Sequence, residues 1–426
     1  MQALTDKNHK RPFYGWAITS MGALGNALQG GLIFWSMGLY TSTFEDHFGA
    51  PRAKITLIET FISIGVNVMS PLMGWLIDKR SVRHVVALGT VSMGLGLIVV
   101  SFAGTLLTIW GAFLILIPFG ILSVGVLPSS ALISRWFRRR RGLALGISVA
   151  GSSIGGAFAP PLLTFLFVAF GWRTAMFGTG VVVILLAPLF YRVLANYPAD
   201  RGLEQEEEGA PDNRALTQAD AQDWPVAAIL RTPAFWMQTL ISGSLLAVTL
   251  GLLANLSLHA KDLGFGGQQT ALLYSVIAFC SFVGKIGFGS LVDRVGLNIA
   301  GVLTAAVMAA GLAILLFASD YTLVVAACFV IGLGTGGVSP IWTNMISRGF
   351  GARSFGRAMG VMNPLHIPIT APSAPIAGYI SDTTGSYDLV FVIYIGLMAV
   401  AGTTLLLLRQ PKPPATVDVK HAMTGN

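Results

Sequence analysis

Gly74-Trp75-Leu76-Ile77-Asp78-Lys79-Arg80 closes one apolar run, and Gly289-Ser290-Leu291-Val292-Asp293-Arg294 closes another 215 residues later. Two further pairs repeat at nearly the same offset. Ile133-Ser134-Arg135-Trp136-Phe137 returns as Ile346-Ser347-Arg348-Gly349-Phe350, and Ala144-Leu145-Gly146 returns as Ala358-Met359-Gly360. Offsets of 213 to 215 are about half of the 426 residues, so the chain reads as a duplication. Parallel repeats of hydrophobic segments mark transporter folds whose substrate sits near the bilayer midplane between the repeats.

The composition around these motifs agrees. Charged residues make up 11% of the chain against the ~25% of soluble proteins, and mean hydropathy is +0.71. Glycine, at 50 of 426, is enriched as it is where membrane helices approach closely. Twelve apolar segments are long enough to span a bilayer: 13–38, 53–77, 83–103, 107–134, 141–169, 174–195, 232–258, 268–292, 298–317, 321–347, 355–381 and 387–409. They lack the polar alternation of barrel strands, so the fold class is an all-α membrane protein. Its twelve transmembrane helices form two pseudo-symmetric six-helix bundles. The expected organisation is an N-terminal bundle over 1–195, a solvated acidic linker over 196–230, a C-terminal bundle over 231–409 and a disordered tail over 410–426.

Cations set the orientation. With the N-terminus in the cytoplasm, 22 of the 27 Lys and Arg lie on the cytoplasmic side, Arg52, Lys54, Arg173 and Lys261 lie outside, and Lys285 is left within a span. Both termini are therefore expected in the cytoplasm of an inner or plasma-membrane protein. The first apolar run is too long for a cleavable signal segment. The net charge of +8 does not indicate nucleic acid, because the basic residues lie in short loops without interleaved stacking aromatics. Cys280 and Cys328 both lie in apolar runs, which argues against a disulfide framework or a cysteine metal site. No phosphate-binding loop, His-Glu-x-x-His or paired buried carboxylate is present, so neither an ATP-driven machine nor an enzyme is expected, and no cofactor.

The Gly-x-x-x-Asp turn after span two, repeated after span eight, resembles the loop signature of the major facilitator superfamily over residues 13–409. Phe13-Tyr14-Gly15-Trp16, and the stretch from Trp136 through Arg138–Arg141 to Gly142, Gly146, Gly151 and Gly155, are similar to the monocarboxylate transporters and their bacterial oxalate/formate-type relatives. The resemblance implies a carrier of small carboxylates that works by alternating access. In monocarboxylate transporters an arginine of span eight pairs with the substrate carboxylate. Aligning on Gly287 and Gly289 puts Lys285 at that place, and the family's span-eight aspartate falls at Ser281. Lysine offers a point charge where arginine offers a fork. A second cation in span eleven of the oxalate/formate-type relatives draws attention to His366.

The residues also speak for themselves. A cation at the bilayer centre costs about 2.5–3.5 kcal/mol on insertion scales, so Lys285 is either a substrate contact or a side chain snorkelling to the surface. His366, beside Asn363, lies in a span broken by Pro364, Pro368, Pro372 and Pro375. It can contact an anion, carry a proton or simply pack. Glu59, near the outer end of span two, is a proton-coupling candidate beside His366, or a carboxylate that hydrates. Asn26, Gln29, Trp342 and Asn344 are substrate-binding candidates or interhelical hydrogen-bonding groups. Gly74, Asp78, Lys79, Arg80, Gly289, Asp293 and Arg294 form a candidate conformational latch. Gly142, Gly146, Gly151 and Gly155, followed by Pro160, should let span five pack closely on a helix of the other half. The expected partners are a small carboxylate, a proton or counter-anion and the lipid bilayer, with the protein a monomer. An efflux carrier for hydrophobic compounds is the alternative. A non-transporting receptor is more remote, because no large cytoplasmic domain is appended.

Overall fold

A helix satisfies its own backbone polar groups, so in lipid each apolar run becomes a helix. The computed structural model describes residues 13–137, 140–202, 224–409 and 411. Every regular element among them is helical. Ten helices are long and apolar enough to cross a membrane. Two further spans are interrupted. Span one runs from Gly15–Ala27 through a π-helical stretch, Leu28–Phe34, into Met37–Phe48. Span eleven breaks at Ala371-Pro372 before resuming as Ser373–Thr384.

Spans one to six pack around one apolar core, which includes Ile18, Phe44, Ile62, Phe113 and Phe190. Spans seven to twelve pack around another, which includes Leu245, Tyr274, Met308, Ile341 and Tyr394. Large apolar side chains such as Phe102, Val168, Phe317 and Leu407 are exposed on the outside. In water such a surface would be an aggregation hazard, whereas lipid solvates it.

Span one extends ten residues beyond the expected end at residue 38. Hydropathy reports the bilayer, not the helix. Ser42 and Thr43 return their hydroxyls to the Leu39 carbonyl of their own helix, which continues until Gly49 ends it at φ 58°. Span seven (Pro233–Asp262) likewise overruns its expected end, and Tyr321–Thr370 carries spans ten and eleven with no intervening loop. The two are separated only by Gly351, at φ 74° and ψ 168°, a conformation that glycine adopts at no steric cost.

The expected solvated linker differs at its described ends. Asn196 hydrogen-bonds Ser81 and the Val82 N–H, tying the chain after span six to the first bundle. Trp224 and Ile229 are buried against Phe350 and its neighbours in the second bundle. The Trp224 N–H donates to Ser354 Oγ (2.8 Å), and Arg357 donates to the Trp224 carbonyl (2.6 Å). Large apolar side chains in a polar stretch seek burial wherever a core is within reach. Residues 203–223, the acidic centre of that linker, and the tail other than residue 411 lie outside the described residues.

Candidate functional site

The two bundles meet along three seams: span five against span eight, span two against span eleven and, towards one end, span one against span seven. One face of the molecule carries most of the Lys and Arg and the other few. At the cation-poor face the bundles are bonded together. Arg52, at the start of span two (Arg52–Lys79), donates to both carboxylate oxygens of Asp262 at 2.5 and 2.6 Å, to Ser381 Oγ at 3.0 Å and to Glu45 at 2.8 Å. Its guanidinium lies 5.7 Å from the Tyr387 ring centre. Lys261 reaches back to Glu45 (2.8 Å) and Asp46 (2.5 Å). Asp382 accepts from the backbone N–H groups of Arg52 and Ala53, where a helix N-terminus favours a carboxylate. Just beneath, Thr41 donates to the Ala254 carbonyl and Ser257 to the Gly38 carbonyl. At the cation-rich ends of spans two, five, eight and eleven, Gly74, Gly146, Gly287, Gly289, Gly356 and Gly360 face open space.

Between these ends lies a cavity of about 260 Å³. The first bundle lines it with Phe34, Glu59, Ile62, Ser63, Val66 and Asn67, and the second with Leu246, Leu250, Trp342, Asn363, His366 and Thr370. Four candidates from the sequence, Glu59, Trp342, Asn363 and His366, therefore converge. Glu59 is 3% exposed and has no hydrogen-bond or ion-pair partner among the described residues. The Ser242 hydroxyl donates to the Gln238 carbonyl at 2.6 Å. The His366 contact at 2.9 Å is accordingly assigned with Nε2–H donating to Ser242 Oγ, which leaves a lone pair on Nδ1 of the neutral ring. The Trp342 indole packs edge-on to His366 at 5.8 Å, and its buried N–H has no acceptor.

Lys285 stands apart from this cavity. It is half-buried in the span five–eight seam, where its Nζ donates to Ser153 Oγ at 2.9 Å. No carboxylate faces it among the described residues. The same seam is stitched by Ser275 to the Ala157 carbonyl, and the span two–eleven seam by Thr60 to the Ala371 carbonyl and by Ser63 to Thr370.

Other candidates take different places. Asn26 is fully buried within the first bundle, where its amide donates to the Gly22 carbonyl, Ser129 and Ser148. Gln29 donates to Asn26. This pair holds spans one, four and five together and does not line the cavity, because span one turns that face inward. Asn344 returns its amide to the carbonyl of Pro340, one turn earlier in its own helix. The span-five glycines pack closely, but onto their own bundle. A Cβ at Gly151 or Gly155 would lie 2.0 or 2.3 Å from the carbonyl oxygen of Ala23 or Ala27 in span one. The face that meets the other bundle is the one bearing Ser153 and Ala157, two residues round the helix, while Gly146 touches nothing within 4 Å. Pro160 lines a second cavity of about 150 Å³ near Lys261 and Tyr274. The side chains of Asp78, Asp293 and Gly142 lie outside the described ones, and so does the contact the latch would make.

Sequence reading missed Ser63, Asn67 and Thr370, which are ordinary polar residues until the seam pairs them. It also counted Arg52 and Lys261 only as outer cations. Acids close to both in the chain, Glu45 and Asp262, were the available signal. Among the described residues no three His, Cys, Asp or Glu come together to hold a metal, and Cys280 and Cys328 are free and buried.

A family model described as Major Facilitator Superfamily matches residues 20–366. The chain belongs to the major facilitator superfamily. It is therefore a multi-pass membrane transporter by family. Within the superfamily it is similar to monocarboxylate transporter 13 of Bos taurus, 26% identical over 410 residues that cover 92% of this chain and 89% of that protein. Monocarboxylate transporter 2 of Homo sapiens is 23% identical, with 94% and 86% covered. Monocarboxylate transporter 12-B of Danio rerio is 27% identical, with 87% and 82% covered. The superfamily fold appears again in the crystal structure of a bacterial homolog to the human lysosomal transporter Spinster, in an inward-facing and occupied conformation. That likeness has a TM-score of 0.65 at 14% identity and covers 93% of this chain and 95% of the other.

Proposed function

We propose that this protein moves a small organic monocarboxylate across an inner or plasma membrane by rocker-switch alternating access, coupled to proton symport or anion exchange. The observation that carries the proposal is Lys285, an ammonium in the seam between bundles whose one hydrogen-bond partner among the described residues is a neutral hydroxyl. Burying a cation without a counter-charge is costly, and a substrate carboxylate removes that cost. His366, Asn363 and Trp342, in the cavity that stands apart from Lys285, would contact the substrate at another point of its passage. The cation-poor face is the outside and is shut, so the form described is the cytoplasm-facing one. In the opposite form the helix ends Gly74–Arg80 and Gly289–Arg294 would close the cytoplasmic face, with both termini on that side.

The similarity to monocarboxylate transporters supports the substrate class. The test is uptake of radiolabelled monocarboxylates by reconstituted vesicles. Lys285→Ala should abolish uptake while insertion and folding persist, and unchanged uptake in that variant would sink the proposal. The apolar share of the cavity wall, including Phe34, Ile62, Val66, Leu246 and Leu250, favours efflux of hydrophobic compounds as the second reading. Saturable extrusion of a neutral dye, insensitive to Lys285→Ala, would favour that reading.

A further inference from the structure

Span eleven carries Pro368, Pro372 and Pro375 within eight residues. Proline has no N–H to return to the carbonyl one turn back, and the helix breaks at Ala371-Pro372 before resuming at Ser373. Pro375 leaves the Ala371 carbonyl without its helical donor, and Thr60 of span two supplies one across the seam. On that side the break faces the first bundle and the central cavity, which Thr370 lines. Its other side faces away from both.

Behind the break lies a groove of about 170 Å³. Ile369, Pro372 and Ile376 of span eleven form one wall, Ile393 and Leu397 of span twelve the other, and Ala247 of span seven the floor. Spans eleven and twelve both rest on span seven and touch each other little, which leaves the gap. Ile376 and Ile393, at its lips, are exposed, and so are Tyr379, Leu389 and Val392 beside them. The groove is thus continuous with the outer apolar surface that lipid solvates. It runs along the helices, since Val390 and Leu397 both line it, seven residues and about 10 Å apart. Span twelve starts at Asp388, so the groove begins just inside the cation-poor face and descends into one leaflet.

We infer that this groove binds one acyl chain of a phospholipid from the leaflet at the cation-poor face, and that the chain braces the span-eleven break, whatever substrate the carrier moves. The polar groups around it are bonded to one another. The Ser373 hydroxyl donates to the Ala247 carbonyl at 2.6 Å, and the Tyr394 hydroxyl donates to the Ser373 carbonyl at 3.3 Å. Water finds too few partners there to fill the space, and so does a polar solute. Left empty, the walls lose dispersion contacts on one side. A hydrocarbon chain restores them, and the bilayer supplies such chains at the mouth. The direction and depth of the groove suit a chain whose headgroup stays at the surface. That chain touches Pro372 and Ile376 behind the break and holds the bend that presents the Ala371 carbonyl to Thr60.

The test uses the full chain in nanodiscs containing a phosphatidylcholine with a diazirine midway along one acyl chain. Ile115 and Val182 report ordinary lipid contact, being exposed and nine and ten residues into helices that start at the same face. After irradiation, label on Ile369 and Leu397 should exceed label on Ile115 and Val182 at least fivefold. Filling the lips with Ile376→Trp and Ile393→Trp together should cut the groove label at least fivefold and leave Val182 unchanged. Equal label at all four positions of the parent overturns the site without recourse to the variant, and undiminished label in the filled variant does so too. Label from a diazirine fatty acid but not from the phospholipid overturns the choice of occupant. Amide hydrogen exchange over residues 369–378 reads the brace. Replacing straight chains by phytanoyl chains, whose side methyls widen them, should speed exchange there at least fivefold in the parent and not in the filled variant. An unchanged parent, or equal acceleration in both, overturns the brace.

Discussion

Arg52→Ala should open the cation-poor face. The guanidinium makes two bonds to Asp262 across the bundle interface, with side chains 14% and 37% exposed. Cutting one end of a desolvated charge pair costs about 2–5 kcal/mol, and an exposed pair contributes about 0.2–1 kcal/mol. The exposures place this pair between those limits, so about 2 kcal/mol is a reasonable loss. At 1.4 kcal/mol per factor of ten, that shifts the balance between closed and open forms ~30-fold toward open. The backbone bonds of Asp382 and the Lys261 pairs remain, so the shift should be partial. Spin labels at Lys54→Cys and Thr384→Cys, exposed positions on opposite bundles, would report the change as a second, longer distance in a double electron–electron resonance experiment. High salt should move the parent the same way, because at 1 M the screening length falls to about 3 Å. A distance distribution in Arg52→Ala identical to the parent's would refute the reasoning and reduce the cluster to a surface decoration.

The remaining predictions concern packing and the cavity. Gly151→Ala would drive a methyl to 2.0 Å from the Ala23 carbonyl oxygen and should cost ~1–3 kcal/mol of stability, whereas Gly146→Ala should leave the thermal midpoint in detergent unchanged. Equal midpoints in the two variants would contradict the span one–five contact. Trp224→Ala removes a buried indole from the second bundle and should lower the thermal midpoint by an amount equivalent to ~3–5 kcal/mol. Trp342→Phe deletes an N–H that has no acceptor, so stability should hold while carboxylate affinity, measured by thermal shift, weakens about tenfold or more if that donor meets the substrate.

The architecture was legible because lipid removes alternatives, leaving apolar runs only one way to satisfy their backbones. The repeat was legible because Gly74–Arg80 and Gly289–Arg294 are one short pattern placed at the same end of equivalent helices. Helix ends were less so. Span one passes residue 38 because side-chain hydroxyls and Gly49, not hydropathy, decide where it stops. For the site, scarcity of charge singled out Lys285 and His366 from sequence. Whether a polar group faces a cavity is a matter of helix rotation, and composition is silent on that. Asn26 and Glu59 looked alike as isolated polar residues in spans, yet Asn26 is enclosed by four hydrogen bonds and Glu59 has none among the described residues. The spacing of the glycines pointed to the opposite bundle, whereas Gly151 and Gly155 pack on span one, because spacing does not say which neighbour a helix face meets.

Gly351 has a consequence for anyone engineering the chain. Because it alone separates spans ten and eleven, the turn has no slack. A rotation of one span about its axis is passed to the next instead of being absorbed, as it would be by a loop. An affinity tag or reporter inserted there must therefore disturb both spans at once, and replacing Gly351 by any side chain would strain the bend without touching the cavity.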